Sequence, residues 1–196
     1  MKPDELRKFV TEKVEPLKDS IYGNRYRAAA HLTDGTYLPC VVFQSGQAQV
    51  ELALRRFKEL RWKRSQYRAV VETFVSGGSH VAEYNLKAVE ISPFAWPLGL
   101  LKTIQGETTM GWTAFVAEMN DGTMHSYGTQ FHFEFFELPQ GYSFSDIREI
   151  HSGMVYSEAK GLQSFSVDSY KDTVDSYRGS RCLTERPFFT CYLKEL

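Results

Sequence analysis

Trp112-Thr-Ala-Phe-Val-Ala-Glu-Met119, then Asn120-Asp-Gly-Thr123, then a return that ends in Phe131-His-Phe-Glu-Phe-Phe136: the fold turns on this stretch. Two apolar runs joined at Asp-Gly predict a β-hairpin, because a two-residue type I′ turn needs positive φ at both central positions. Strand side chains alternate, so the return run sets Phe131, Phe133 and Phe135 on one face and His132 and Glu134 on the other. Each buried Phe is worth roughly 1.5–3 kcal/mol, which makes the three-ring face the expected core.

The flanking sequence repeats this grammar. Tyr26 to Leu32, Asp34-Gly35 and Thr36 to Phe43 predict an earlier hairpin, with Thr33 paired to Thr36. Pro39 has no N–H to give, so the return strand is expected to be an edge or to bulge there. A third hairpin is predicted from Tyr67 to Phe74, through Gly77-Gly78, and back from Val81 to Ile91. Two helices are expected at the N-terminal side. The first runs from Pro3 to Lys18 on the stripe Leu6, Phe9, Val10, Val14 and Leu17, with Pro16 able to stop it early. The second runs from Ser45, its cap, to Trp62, with Val50, Ala53, Leu54, Phe57 and Leu60 buried. Pro93 to Leu101 is apolar but broken by prolines, either a buried connector or a small apolar surface. Phe144 to Tyr156 reads as one or two strands and Pro187 to Leu193 as a last one. The repeated Val-Asp-Ser-Tyr at 167 and 174 suits a short helix capped by Ser166. The expected fold is one α+β domain over 1–196. Antiparallel hairpins make a curved sheet or partial barrel, two N-terminal helices pack on one side, and a short helix lies near the C-terminus.

Composition narrows the class. Of 196 residues, 42% are hydrophobic and 14% aromatic, enough for a substantial core, and 24% are charged, which argues against global disorder. Three cysteines, Cys40, Cys182 and Cys191, with no C-x-x-C pair, speak for buried thiols rather than a disulfide framework or structural zinc. The start, Met-Lys-Pro-Asp-Glu, is too charged for a signal peptide, and no apolar run reaches the ~18–20 residues of a membrane span. A cytosolic protein without a membrane partner is expected.

The net charge of −1 hides an asymmetry. Residues 55–68 hold seven basic residues and one acidic, a local +6, whereas residues 112–177 hold ten acidic and three basic. Lys and Arg beside Trp62 and Tyr67 suit a nucleic acid, through counterion release and stacking, and equally an acidic protein. The same charges would serve as a solvated helix face. The candidate binding residues are Arg55, Arg56, Lys58, Arg61, Trp62, Lys63, Arg64 and Arg68. Self-association of basic on acidic surfaces is a further possibility, weakened by salt.

Acid–base chemistry has fewer candidates. A two-residue turn sets Glu118 opposite His125, a carboxylate beside an imidazole, and His132 and Glu134 share a face further along. Their bland reading is cross-strand polar pairing. Glu72 and Glu83 would face each other in the Gly-Gly hairpin, while His31, His80 and His151 show no ligand spacing and read as structural. No P-loop, dinucleotide fingerprint, H-E-x-x-H or G-x-S-x-G occurs. No cofactor or metal is expected. The favoured expectation is a non-enzymatic binding protein that meets an anionic partner, nucleic acid or acidic protein, through the basic helix. The alternative is a small enzyme or ligand-binding protein. Its curved sheet would enclose a pocket lined by Trp96, Trp112, Tyr127 and Phe133, with Glu118 and His125 as its polar groups.

Overall fold

Residues 1–20, 22–59, 79–106, 112–129, 133–166, 182–194 and 196 are described by the structure, a computed structural model. The elements are α1 (Pro3–Lys13), β1 (Pro16–Asp19), β2 (Gly23–Leu32), β3 (Tyr37–Ser45), α2 (Gly46–Glu59), β4 (His80–Val81), β5 (Leu86–Ile91), α3 (Leu98–Leu101), β6 (Thr113–Met119), β7 (Met124–Thr129), β8 (Ile147–Ser152), β9 (Met154–Ser157), β10 (Gly161–Ser164), β11 (Cys182–Thr184) and β12 (Phe189–Leu193). Contacts divide the chain into two compact units, Met1–Pro93 with Phe188–Leu196, and Phe94–Pro187. None of the described helices is long and apolar enough to cross a membrane.

The first unit holds a six-stranded sheet in the order β1-β2-β3-β12-β4, with β5 paired to β2 beyond β1. Helix α1 begins at Pro3, with the Lys2 N–H donating to Glu5 Oε2 at 3.0 Å, and ends before Pro16, whose ring cannot continue a helix. Leu17 therefore belongs to β1 and not to the helical stripe. Leu6, Val10 and Val14 of α1 pack with Ala28 and Ala30 of β2, Val41 and Phe43 of β3, Leu86 and Val89 of β5, and Cys191 and Leu193 of β12. The alanines leave room for the helix, and each large side chain buried is worth roughly 1.5–3 kcal/mol.

The second unit holds a four-stranded sheet, β11-β7-β6-β8, and a separate β10-β9 hairpin. Every residue of β6 is buried. On the proline-broken segment Trp96 is fully buried and Leu98 and Leu101 of α3 are buried, while Pro93, Pro97 and Gly99 are exposed, so the segment is anchored by part of its apolar set. The region from Phe144 to Tyr156 is two strands, β8 and β9, separated by Gly153 at φ +70°.

Several expectations are corrected. The structure is mostly sheet, 46% strand against 21% helical, and the described strands close no barrel. Two N-terminal helices do not pack on a sheet. Helix α1 does so, but α2 buries Gln49 and Leu52 while its apolar Val50 and Leu54 stand exposed. Nor is the sheet built from antiparallel hairpins alone. β12 runs parallel to both β3 and β4, and β11 runs parallel to β7. The return run after Asp121-Gly122 is also shorter than expected. β7 is described as far as Thr129, and from Phe133 to Phe136 no strand is formed beyond an isolated bridge of Phe136 to Glu185. Freed from strand alternation, Glu134, Phe135 and Phe136 are buried in succession and Phe133 is half-buried. Val81 to Ile91 divides into β4, a 3-10 turn at Glu83–Asn85, and β5. Phe131, His132, the Tyr67-to-Phe74 strand with Glu72, and the helix expected at 167–177 lie outside the described residues.

Candidate functional site

The geometry around Glu118 follows from the turn between β6 and β7. The Gly122 N–H donates to Met119 O at 2.9 Å, and Met119 N–H donates to Thr123 O at 2.8 Å. The loop is therefore the three residues Asn120, Asp121 and Gly122, with Gly122 at φ +84°. This is a three-residue loop closed by a left-handed glycine, and not the two-residue turn expected. Asp121 favours it, because its Oδ1 accepts from Thr123 N–H at 2.9 Å. One more residue in the loop moves the pairing by one. Glu118 stands opposite Met124, and His125 stands opposite Ala117. A one-residue slip exchanges faces, so Glu118 and His125 project from opposite sides of the sheet.

Glu118 finds other partners on β8. The pairing runs Val116 with His151 and Glu118 with Glu149, then jumps to Met119 with Ile147. Arg148 is the extra residue of that β-bulge, and a bulge re-aims a side chain. Its guanidinium donates to Glu118 Oε1. His151 Nε2 lies 2.9 Å from Glu118 Oε2, and His151 Nδ1 lies 3.9 Å from Glu149 Oε1. The Glu118 side chain is only 8% exposed, that of His151 19% and that of Glu149 62%. A buried carboxylate thus has each oxygen engaged by a different residue of one neighbouring strand. One donor atom from each of Glu118, Glu149 and His151 falls within 4.8 Å of the other two. Sequence reasoning missed Arg148, Glu149 and His151 as a site. Only the pairing of β6 with β8 joins them to Glu118, and no local spacing signals it.

Two of the residues expected to line a pocket, Trp96 and Tyr127, pack against each other and against neighbouring rings. Trp96 meets Tyr127 at 4.9 Å, Phe136 at 5.6 Å and Phe115 at 5.7 Å between ring centroids, all edge to face. Phe115 and Tyr127, cross-strand partners, stack at 5.1 Å. Tyr127 O–H donates to Glu137 O at 3.0 Å. Such aromatic pairs add roughly 0.5–1.5 kcal/mol each beyond their buried area. Trp112 is also buried. His125 sits near the turn with its ring 5.5 Å from that of Tyr142, whose hydroxyl donates to Asp121 Oδ2 at 2.8 Å. Burial holds the His125 imidazole below the usual histidine range, against an opposing pull from the Asp121 charge.

Of the expected basic face, the described part is Arg55 and Lys58 on α2, both exposed. Ser45 Oγ accepts from Gln47 N–H at 3.3 Å, the capping role expected of it. Glu51, Leu54, Arg55 and Lys58 line an open depression of about 430 Å³. Val50, one turn before Leu54, is 51% exposed and Leu54 is 53% exposed. The backbone of Arg56 lies in α2; Arg61, Trp62, Lys63, Arg64 and Arg68 lie outside the described residues. No protein family, curated protein or solved structure matches this chain.

Proposed function

We propose that the protein is a non-enzymatic interaction protein that uses α2 to hold an acidic segment of another protein. The supporting observation is the exposure of Val50 and Leu54 beside Arg55 and Lys58. Val50, Leu54 and Lys58 recur every fourth residue and share one helix face. A strand or helix that presents carboxylates around a few apolar side chains would answer both features at once. Aliphatic side chains offer a nucleic acid no stacking surface, which favours the protein partner of the two anionic classes. The sequence adds to the positive field, since residues 55–68 carry +6.

The test uses three fluorescent probes on the full chain: an acidic peptide of Glu and Leu, polyglutamate of equal charge, and a single-stranded oligonucleotide. The Glu-Leu peptide is expected to bind most tightly and to weaken steeply between low and physiological salt. Arg55→Glu with Lys58→Glu should cost that peptide at least about tenfold, the 1.4 kcal/mol of two modest contacts. Leu54→Ala should weaken the Glu-Leu peptide and leave polyglutamate unchanged. Equal binding by the charge-reversed variant, or tighter binding of the oligonucleotide, overturns the reading.

A further inference from the structure

We propose that Glu118, Glu149 and His151 form a binding site for a first-row divalent transition metal, with zinc the natural occupant. The donor set is mixed: one carboxylate from β6, and one carboxylate and one imidazole from β8. Their ligand atoms already lie within 4.8 Å of one another. An imidazole nitrogen selects transition metals over calcium and magnesium, which prefer shells made of oxygen.

The spacing fits. Tetrahedral zinc holds N and O donors at about 2.0–2.1 Å, which sets two such donors roughly 3.3 Å apart. Glu118 Oε2 and His151 Nε2 stand at 2.9 Å with one hydrogen between them. Replacing that hydrogen with a metal ion requires an opening of a few tenths of an ångström and loss of the proton from Nε2. Glu149 lies directly opposite Glu118 in the register and its side chain is largely in water. Its Oε1 now lies 3.9 Å from His151 Nδ1, and it would have to rotate toward Nε2 to join the ion. A water would take the fourth position, the arrangement of an open zinc site.

Two further observations point to a cation. Like charges directly opposite in an antiparallel pair repel, and Glu118 with Glu149 is such a pair. The Arg148 guanidinium sets one fixed positive charge against the two carboxylates. Arg148 also occupies Oε1 alone. It therefore orients the carboxylate and leaves Oε2 for the metal, the part that outer hydrogen bonds play for ligating carboxylates. The site is independent of the α2 surface.

Tag-free protein is titrated with zinc by calorimetry in metal-free buffer, and cobalt(II) serves as a spectroscopic probe of geometry. The expected result is one ion per chain and an intense visible cobalt band of tetrahedral type. His151→Ala and Glu149→Gln should each weaken binding at least about tenfold, the low end for losing a ligand or its support. Glu149 is surface-exposed, so Glu149→Gln tests the site in a chain whose circular dichroism matches that of the parent. His31→Ala, at the separate His31–Glu90 pair, should leave binding unchanged. No binding, or binding that survives both His151→Ala and Glu149→Gln, overturns the proposal and leaves the cluster an ion pair alone. Loss of binding in His31→Ala also overturns it.

Discussion

The two Asp-Gly hairpins start from the same turn and end differently. In β2–β3 the Gly35 N–H donates to Leu32 O at 3.1 Å and Leu32 N–H to Thr36 O at 2.8 Å. Asp34 Oδ1 accepts from Thr36 N–H at 2.9 Å, and Gly35 sits at φ +91°. Each feature has its counterpart at Met119 to Thr123. Both loops thus carry one residue more than a two-residue turn. In β2–β3 the shift is absorbed: Ala30 pairs with Leu38, but Ala28 pairs with Val41. Pro39 and Cys40 together oppose Ala29, in a bulge placed where proline has no N–H to offer, and the Pro39 carbonyl accepts from Ser92 Oγ at 2.6 Å. From there to Tyr26 and Phe43 the pairs are those of a two-residue turn. In β6–β7 nothing absorbs the shift, and it persists from Glu118–Met124 to Thr113–Thr129. Past its bulge the first hairpin lays Tyr26, Ala28, Val41 and Phe43 in the core. In the second, His125 projects from the face opposite Glu118, whose partners are instead Arg148 and His151 of β8.

The carboxylates offer the most severe test of this difference. Glu118→Ala in metal-free buffer should cost roughly 2–3 kcal/mol, less than the 3–5 of a fully buried pair because the Arg148 side chain still reaches water. Glu90→Ala in the first sheet removes a carboxylate 3.2 Å from His31 with both side chains largely exposed, and should cost under about 1 kcal/mol. Urea unfolding of the two variants reads the difference. Equal costs would mean that the unabsorbed slip places nothing of energetic consequence.

This contrast also marks how far the sequence is legible. Pro39 announces a bulge as one of two outcomes, and Pro16 announces the end of α1, because each acts on its own backbone. The Asp-Gly dipeptides announce turns, but not their length. The loop becomes three residues through a bond that the Asp carboxylate accepts from the Thr amide and one that the Gly amide donates, which compete with the primed turn. Glu118 with His151 is illegible for a different reason: β8 reaches β6 across some thirty residues of chain, and only tertiary pairing selects that neighbour. On α2 the apolar period is legible and the buried side is not. Periodicity records a stripe, while Leu52 rather than Leu54 is the leucine the fold covers.

The next largest effect lies in the turns themselves. A Cβ at Gly35 or Gly122 would meet no neighbouring atom within 4 Å, so only the positive φ penalises a side chain there. Gly35→Ala and Gly122→Ala should each cost about 1–2 kcal/mol, the strain of a left-handed residue with a Cβ. Similar losses in the two variants, seen as shifts of the denaturant midpoint at constant slope, would sharpen the claim that the turns are alike and that the hairpins differ only in their strands. A loss at one alone would break it.

Smaller still is the pH response of His125. Burial depresses its folded-state pKa, so the unfolded chain takes up the proton first. Stability should be full above about pH 6.5, the ordinary histidine value, and should fall as pH drops from there through the folded value. His125→Phe keeps a ring against Tyr142 and should remove that slope. Nuclear magnetic resonance titration of the His125 ring protons reads the folded value directly, and a midpoint at or above the ordinary one contradicts the assignment.

The smallest differences are expected at the turn carboxylates, which are exposed. The Thr36 amide holds Asp34 below the usual carboxylate range, and the Thr123 amide followed by the Tyr142 hydroxyl does the same for Asp121. Both depressed values stabilise the fold above about pH 3.9, and that contribution disappears as pH falls through the folded value. Asp34→Ala and Asp121→Ala should therefore each flatten the acid limb of a stability profile measured between pH 7 and pH 2. The second should also lower stability more at pH 7, because it removes the acceptor that Tyr142 O–H uses while Asp34 serves its own turn only. If Asp34→Ala is the more damaging of the two, the turns differ in ways their shared bonds do not account for, and the register alone no longer separates the two hairpins.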